Sequence, residues 1–168
     1  LADFDNFLAE AHRLGLKVII DWVANHTSPD ARWVTESPAS WYERDEKGNL
    51  TYTADWSDTA NLNYADEGMV RAMQDAMLFW LKRGVDGFRC DVASLVPVDF
   101  WIRARKECAQ VKKDLIWLGE TVHTSFQRDA RKQGMRISTD SEAVEAFDME
   151  YDYDIRELLD DYWADKRP

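Results

Sequence analysis

Three acidic residues close three hydrophobic runs in this chain: Asp21 after "LKVII", Asp91 after "GFRC" and Glu120 after "LIWLG". Arg89 stands two residues before Asp91, and in an extended chain positions i and i+2 point to the same face. The stretch "GFRCDVA" (87–93) therefore sets a guanidinium beside a carboxylate on one face, with Phe88, Cys90 and Val92 on the other. Two carboxyl groups in different environments are the equipment of glycoside hydrolysis. One stays ionised to attack or stabilise an oxocarbenium-like centre, and the other keeps a proton for the leaving oxygen. A fixed cation at Arg89 favours the charged form of Asp91. No basic residue lies in 115–119, so an apolar setting is expected to raise the pKa of Glu120, as a general acid requires. A second reading stands beside this one: Arg89 and Asp91 as a structural ion pair, which perturbs pKa values without doing chemistry.

The elements that must position these residues follow from the hydrophobic rhythm. Phe4, Phe7, Leu8, Ala11 and Leu14 predict a helix from Asp3, its N-cap, to a stop at Gly15. The run 16–23 predicts a strand buried on both faces. Residues 24–66 show no clear period. Helical spacing returns at Met69, Val70, Met73, Met77, Trp80 and Leu81, between Asp66 and Gly84. A second strand is predicted in 85–92, a helix from Asp99 to about Val111, and a third strand in 115–120. A short helix over 124–133 ends at Gly134; a fourth strand in 146–152 precedes a helix through Ile155, Leu158, Leu159 and Tyr162. Such alternation implies right-handed βαβ units and a parallel sheet. Parallel sheets carry chemistry at the C-terminal ends of their strands, where Asp21, Asp91 and Glu120 fall.

Composition narrows the partners. The 168 residues are 45% hydrophobic and 32% charged, which is globular and not disordered. With 21 basic against 32 acidic residues the net charge is −11, so neither nucleic acid nor an anionic membrane is an expected partner. No apolar run reaches the roughly 18 residues of a membrane span. Cys90 and Cys108 make neither a disulfide framework nor a metal site. In the aromatic segment 31–56, Trp33, Trp41, Tyr42 and Trp56 read equally well as sugar-stacking platforms or as the segment's own core. A stretch of that length should hold some local strand or helix.

"DWVANH" (21–26), "GFRCDVA" (87–93) and "WLGET" (117–121), in this order, resemble three consecutive signature regions of the α-amylase family, glycoside hydrolase family 13. "TANLNY" (59–64) is similar to a further short motif of that family. The resemblance implies an α/β fold, a partial (β/α)8 barrel of about four βα units. Residues 27–65 would form an inserted loop or subdomain after the first strand. It implies a retaining glycosidase acting on an α-glucan or oligosaccharide, with Asp91 as nucleophile and Glu120 as acid and then base. Arg89 would hold Asp91, and Asp21 and His26 would bind sugar. His12 and His123 are expected to be structural or solvent-facing. The two catalytic carboxyl groups should lie about 5–5.5 Å apart.

Asn25 falls where many members of that family place a calcium ligand. Yet Ser94 and Leu95 stand where many have Lys-His, and Ala60-Asn61 where Pro-Asp is frequent, so calcium is not supported and no cofactor is expected. No His-Asp pair occurs to supply the family's third carboxylate. The chain is accordingly expected to be part of a longer barrel and inactive on glucans by itself. Two other classes remain open: a catalytically silent carbohydrate-binding or interaction module on this scaffold, and an unrelated barrel enzyme using the carboxylates for metal binding or proton abstraction.

Overall fold

The computed structural model describes residues 1–164. Helix α1 (Ala2–Arg13) leads into β1 (Ile19–Trp22), and a long excursion follows, containing β2 (His26–Thr27), the short α2 (Arg32–Glu36) and β3 (Ala60–Asn61). The chain then alternates through α3 (Glu67–Arg83), β4 (Gly87–Cys90), α4 (Val98–Val111), β5 (Ile116–Gly119), α5 (Thr124–Lys132), α6 (Asp140–Ala143), β6 (Met149–Glu150) and α7 (Tyr153–Trp163). The main sheet has the order β1-β4-β5-β6, and every pairing is parallel. This is the expected α/β architecture, a partial (β/α)8 barrel. No helix among the described residues is long and apolar enough to cross a membrane.

Local chemistry explains where the elements start and stop. Asp66 caps α3, its carboxylate accepting from the Gly68 and Met69 amides, and Gly84 ends the helix at φ 107°. The N-cap expected at Asp3 is not there: α1 begins at Ala2, and Asp3 sits in the first turn, where its charge meets the positive end of the helix dipole. The run 16–23 is a strand only over β1, and it is not buried on both faces: Ile19, Ile20 and Trp22 are half-buried and Asp21 is exposed. Val92 does not continue the β4 face; it turns into the left-handed region at φ 36°, ψ 46°. Helix α6 has no counterpart in the hydrophobic rhythm, being a single turn closed by a Thr139–Glu142 capping box. The segment 24–66 does contain local structure: β2 pairs antiparallel with β3, and Tyr42 bridges to Leu62.

Behind the sheet, Phe88, Trp101, Trp117 and Phe147 pack ring against ring, with Met69, Met73 and Met77 of α3 in the same buried cluster. The sheet is drawn tight at Gly87, where a Cβ would stand 2.0 Å from the Ile116 carbonyl oxygen, so only glycine fits β4 against β5.

At the opposite end from the carboxylates, Asp86 is 2% exposed and gathers Lys112 Nζ (2.7 Å), His12 Nε2 (2.8 Å), the Val18 amide (2.8 Å) and Lys17 Nζ (3.4 Å). His12 is thus structural. Burial pushes the Asp86 carboxyl up, but Lys112, the Val18 amide and His12 together hold it well below the usual carboxylate range. A lowered folded pKa contributes stability above the unfolded value of about 4, lost as pH falls through the folded value. Asp86→Ala, which also strands Lys112, is expected to cost about 3 kcal/mol at pH 7. Urea denaturation of both forms measures it, and a difference under about 0.5 kcal/mol, the range of an ordinary surface change, would contradict it.

Candidate active site

The register of the sheet brings the strand-end residues together. Asp21 pairs with Arg89 across β1 and β4, and Cys90 pairs with Gly119 across β4 and β5, so Asp91 and Glu120 follow at the same level. Arg89 lies between them and bridges three carboxylates. Its Nη1 donates to Asp21 Oδ1 at 2.9 Å and to Asp91 Oδ1 at 2.7 Å, and its Nη2 lies 2.7 Å from Glu120 Oε1. The Tyr151 ring centre lies 5.4 Å from the guanidinium carbon. Asp21 is the rim of the cluster, with 60% of its side chain exposed, against 23% for Asp91 and 12% for Glu120.

Glu120 is the most engaged of the three. Its Oε2 accepts the Val92 amide at 3.0 Å, and its Oε1 accepts the Tyr153 hydroxyl at 2.6 Å. The Val92 amide reaches it because of the left-handed turn there, a conformation that disfavours a β-branched residue. Strain of this kind is typical of sites where surrounding contacts over-determine the backbone.

The electrostatics depart from the sequence expectation. Burial raises Asp91, and the facing Glu120 charge adds to it; Arg89 opposes both, and the net direction is upward. Burial also raises Glu120, but Tyr153, the Val92 amide, Arg89 and a shared hydrogen bond with Asp91 bring it down. The expected apolar setting for Glu120 is therefore wrong. Its strand holds no cation, but the neighbouring strand supplies one. Asp91 and Glu120 both meet Arg89 and each influences the other's proton affinity, so they titrate as a pair.

His26 is not drawn into this cluster. It lies on β2, its ring 5.9 Å from Trp56, and its Nδ1 accepts from Asn25 Nδ2 at 3.2 Å. Trp33 and Trp41 pack edge to face at 5.0 Å, and Tyr42 is buried with its hydroxyl 2.9 Å from Thr27 Oγ1; these three rings are the segment's core. Trp56 is half-buried. Asn25 is buried and engaged with His26, and no group of three or more His, Cys, Asp or Glu among the described residues is arranged to hold a metal ion. A cavity of about 660 Å³ opens between the β3 segment and α4, and none of the four clustered residues lines it.

Tyr151, just after β6, and Tyr153, the first residue of α7, escape the sequence reading, and His123, expected to be structural or solvent-facing, stacks its ring on Tyr153 at 5.0 Å and 18°. The alternating "YDY" at a fourth strand end is the signal available.

Carboxylates around one arginine at the strand ends of a parallel sheet define a barrel whose chemistry sits at the C-terminal face of its strands. The family model for the α-amylase catalytic domain matches residues 1–56 and 39–156, and the chain belongs to that family. A crystal structure of an α-amylase from Lactobacillus plantarum superposes with a TM-score of 0.93 at 43% identity, covering 99% of this chain and 39% of that one. The α-amylase MalA of Haloarcula japonica is 36% identical over 129 residues, which are 72% of this chain and 19% of the relative. The trehalose-6-phosphate hydrolase of Bacillus subtilis is 30% identical over 131 residues, 59% of this chain and 23% of the relative. The chain therefore spans about a fifth of the length of these curated relatives.

Proposed function

We propose that this chain carries the catalytic pair of a retaining α-glucan-active glycosidase, with Asp91 as nucleophile and Glu120 as acid/base, in the full-length protein. One observation carries the reading: a single guanidinium bridges both carboxylates at the ends of adjacent parallel strands. The shared guanidinium keeps the two carboxyl groups near each other, as a retaining enzyme with a separation of about 5–5.5 Å requires. The α-amylase names of the relatives support an α-linked glucan or oligosaccharide as substrate.

In the first step an Asp91 oxygen bonds to the anomeric carbon as the glycosidic C–O bond breaks, and Glu120 gives its proton to the leaving oxygen. In the second, Glu120 takes a proton from water, the water oxygen attacks the anomeric carbon, and the bond to Asp91 breaks. Entry to the first step requires the proton on Glu120 and the charge on Asp91. Arg89 then faces an ionised Asp91 and stabilises it. Asp21 binds sugar hydroxyls at the rim of the cluster and His26 binds them from β2, outside it, while residues 27–65 form an inserted subdomain.

Glu120→Gln is expected to slow hydrolysis of maltotriose by about 10²–10⁴-fold. It should slow α-glucosyl fluoride much less, because fluoride leaves without a proton. Steady-state rates on both substrates check this, and equal losses would count against an acid role. The other reading is a catalytically silent carbohydrate-binding or interaction module on the same scaffold. Saccharide binding by the full-length protein without turnover would establish that alternative.

A further inference from the structure

Glu120 is held from one side by β4 and its end, through Arg89 and the Val92 amide, and from the other by a single hydroxyl. That hydroxyl belongs to Tyr153, the first residue of α7, at 2.6 Å, within the range of a charge-assisted O–H···O⁻ bond. The phenol does not reach Glu120 by chance of rotamer, because four further contacts fix it. Thr121 Oγ1 donates to the Tyr151 carbonyl at 2.7 Å, and the Thr124 amide donates to Asp154 Oδ2 at 3.0 Å. His123 Nε2 donates to Glu157 Oε1 at 2.8 Å, and the His123 ring stacks on Tyr153. Together these clasp the loop after β5 to the first turn of α7, with the phenol aimed back at Glu120.

We infer that Tyr153 is a positioning residue for Glu120, kept in place by the stacked His123 ring and by this clasp between the β5–α5 loop and α7. The inference rests on the acid/base reading of Glu120. The groups facing Glu120 are Arg89 and Asp91 from β4 and its end and Tyr153 from α7, with Asp21 beyond Arg89. Those facing the Tyr153 and His123 rings are Glu157, Asp154, Tyr151 and Arg89. The bond to Glu120, with burial, pushes the Tyr153 phenol up to about 12, so it stays a donor throughout the working range.

A donor to the ionised carboxylate favours that form, so its loss raises the proton affinity of Glu120. The alkaline limb of kcat/KM, where the acid loses its proton, then moves to higher pH.

The test compares the full-length wild type, Tyr153→Phe, His123→Ala and His123→Phe, with maltotriose as substrate. A second readout needs no activity: infrared titration of the Glu120 carboxyl in ¹³C-glutamate-labelled protein, with Glu120→Gln assigning the band. Tyr153→Phe is expected to move both the limb and the titration up by about one pH unit, equivalent to one hydrogen bond to a charged group. His123→Ala should move them in the same direction by less, and His123→Phe, which keeps the stack, should restore them. Should Tyr153→Phe not fold, the His123 pair carries the test. Limb and titration both unmoved in folded variants would overturn the inference while leaving the glycosidase reading intact. A titration that moves in a protein with no turnover would uphold the clasp and defeat the glycosidase reading.

Discussion

Asp91→Asn in the full-length protein is expected to lower turnover of maltooligosaccharides by about 10⁴-fold or more while leaving the protein folded. The magnitude is that of deleting the group that forms the covalent intermediate, where the remaining machinery contributes little on its own. An amide is a poor nucleophile and makes no stable glycosyl ester. The fold survives because the side-chain carbonyl of the variant would still accept from Arg89 Nη1, which lies 2.7 Å from Asp91 Oδ1, and the backbone amide keeps its bond to the Trp22 carbonyl. Initial rates with circular dichroism at matched concentration measure both halves. A loss below about tenfold would remove Asp91 from the chemistry. A loss accompanied by unfolding would return Arg89 and Asp91 to the role of a structural pair.

Arg89→Met is expected to act on stability and turnover together. Arg89 stands among Asp21, Asp91 and Glu120, and its removal leaves three carboxylates facing one another without a cation. Discounting for the partial exposure of the cluster, the cost at pH 7 is about 2–3 kcal/mol. Turnover falls by about 10³-fold, since Asp91 then resists ionisation. The sign with pH is distinctive. Asp91 and Glu120 would be raised in the folded variant, so it binds more protons than its unfolded chain, and its stability increases as pH falls from about 7 toward about 5. Urea midpoints at the two pH values give the slope, and a variant that loses stability on acidification would contradict the bridge. Arg89→Lys is expected not to rescue, because a single ammonium cannot present a planar fork to carboxylates on both sides.

The parts of this site legible in the sequence are those that depend on one strand at a time. Arg89 and Asp91 share a face by the period of an extended chain, and the acidic strand ends can be counted directly. What escapes depends on register between strands. Nothing within 115–119 shows that β5 sits so that Arg89 Nη2 meets Glu120, and Tyr153, the Val92 amide and this contact lower the Glu120 carboxyl where an apolar setting would raise it. Tyr153 and His123 escape for the same reason: they meet only because the loop after β5 folds against α7, 30 residues on in the case of Thr124 and Asp154. Periodicity locates α7 correctly, yet Ile155, Leu158 and Leu159 are exposed among the described residues, since period reports a helical face and not what covers it. Within 24–66 the aromatic residues have no period at all, so the packing of Trp33 on Trp41 and the pairing of Tyr42 with Leu62 cannot be read from it.

Whether Asp91 becomes covalently bonded to sugar while Glu120 handles the protons is open to direct trapping. The full-length protein is incubated with 5-fluoro-α-glucosyl fluoride, whose ring fluorine slows release of the glycosyl-enzyme, then digested and mapped by tandem mass spectrometry. One fluoroglucosyl increment is expected on the peptide spanning "GFRCDVA", localised to Asp91 and absent from Asp91→Asn. A label on any other residue, or rapid turnover with inverted product and no label, would contradict the assignment.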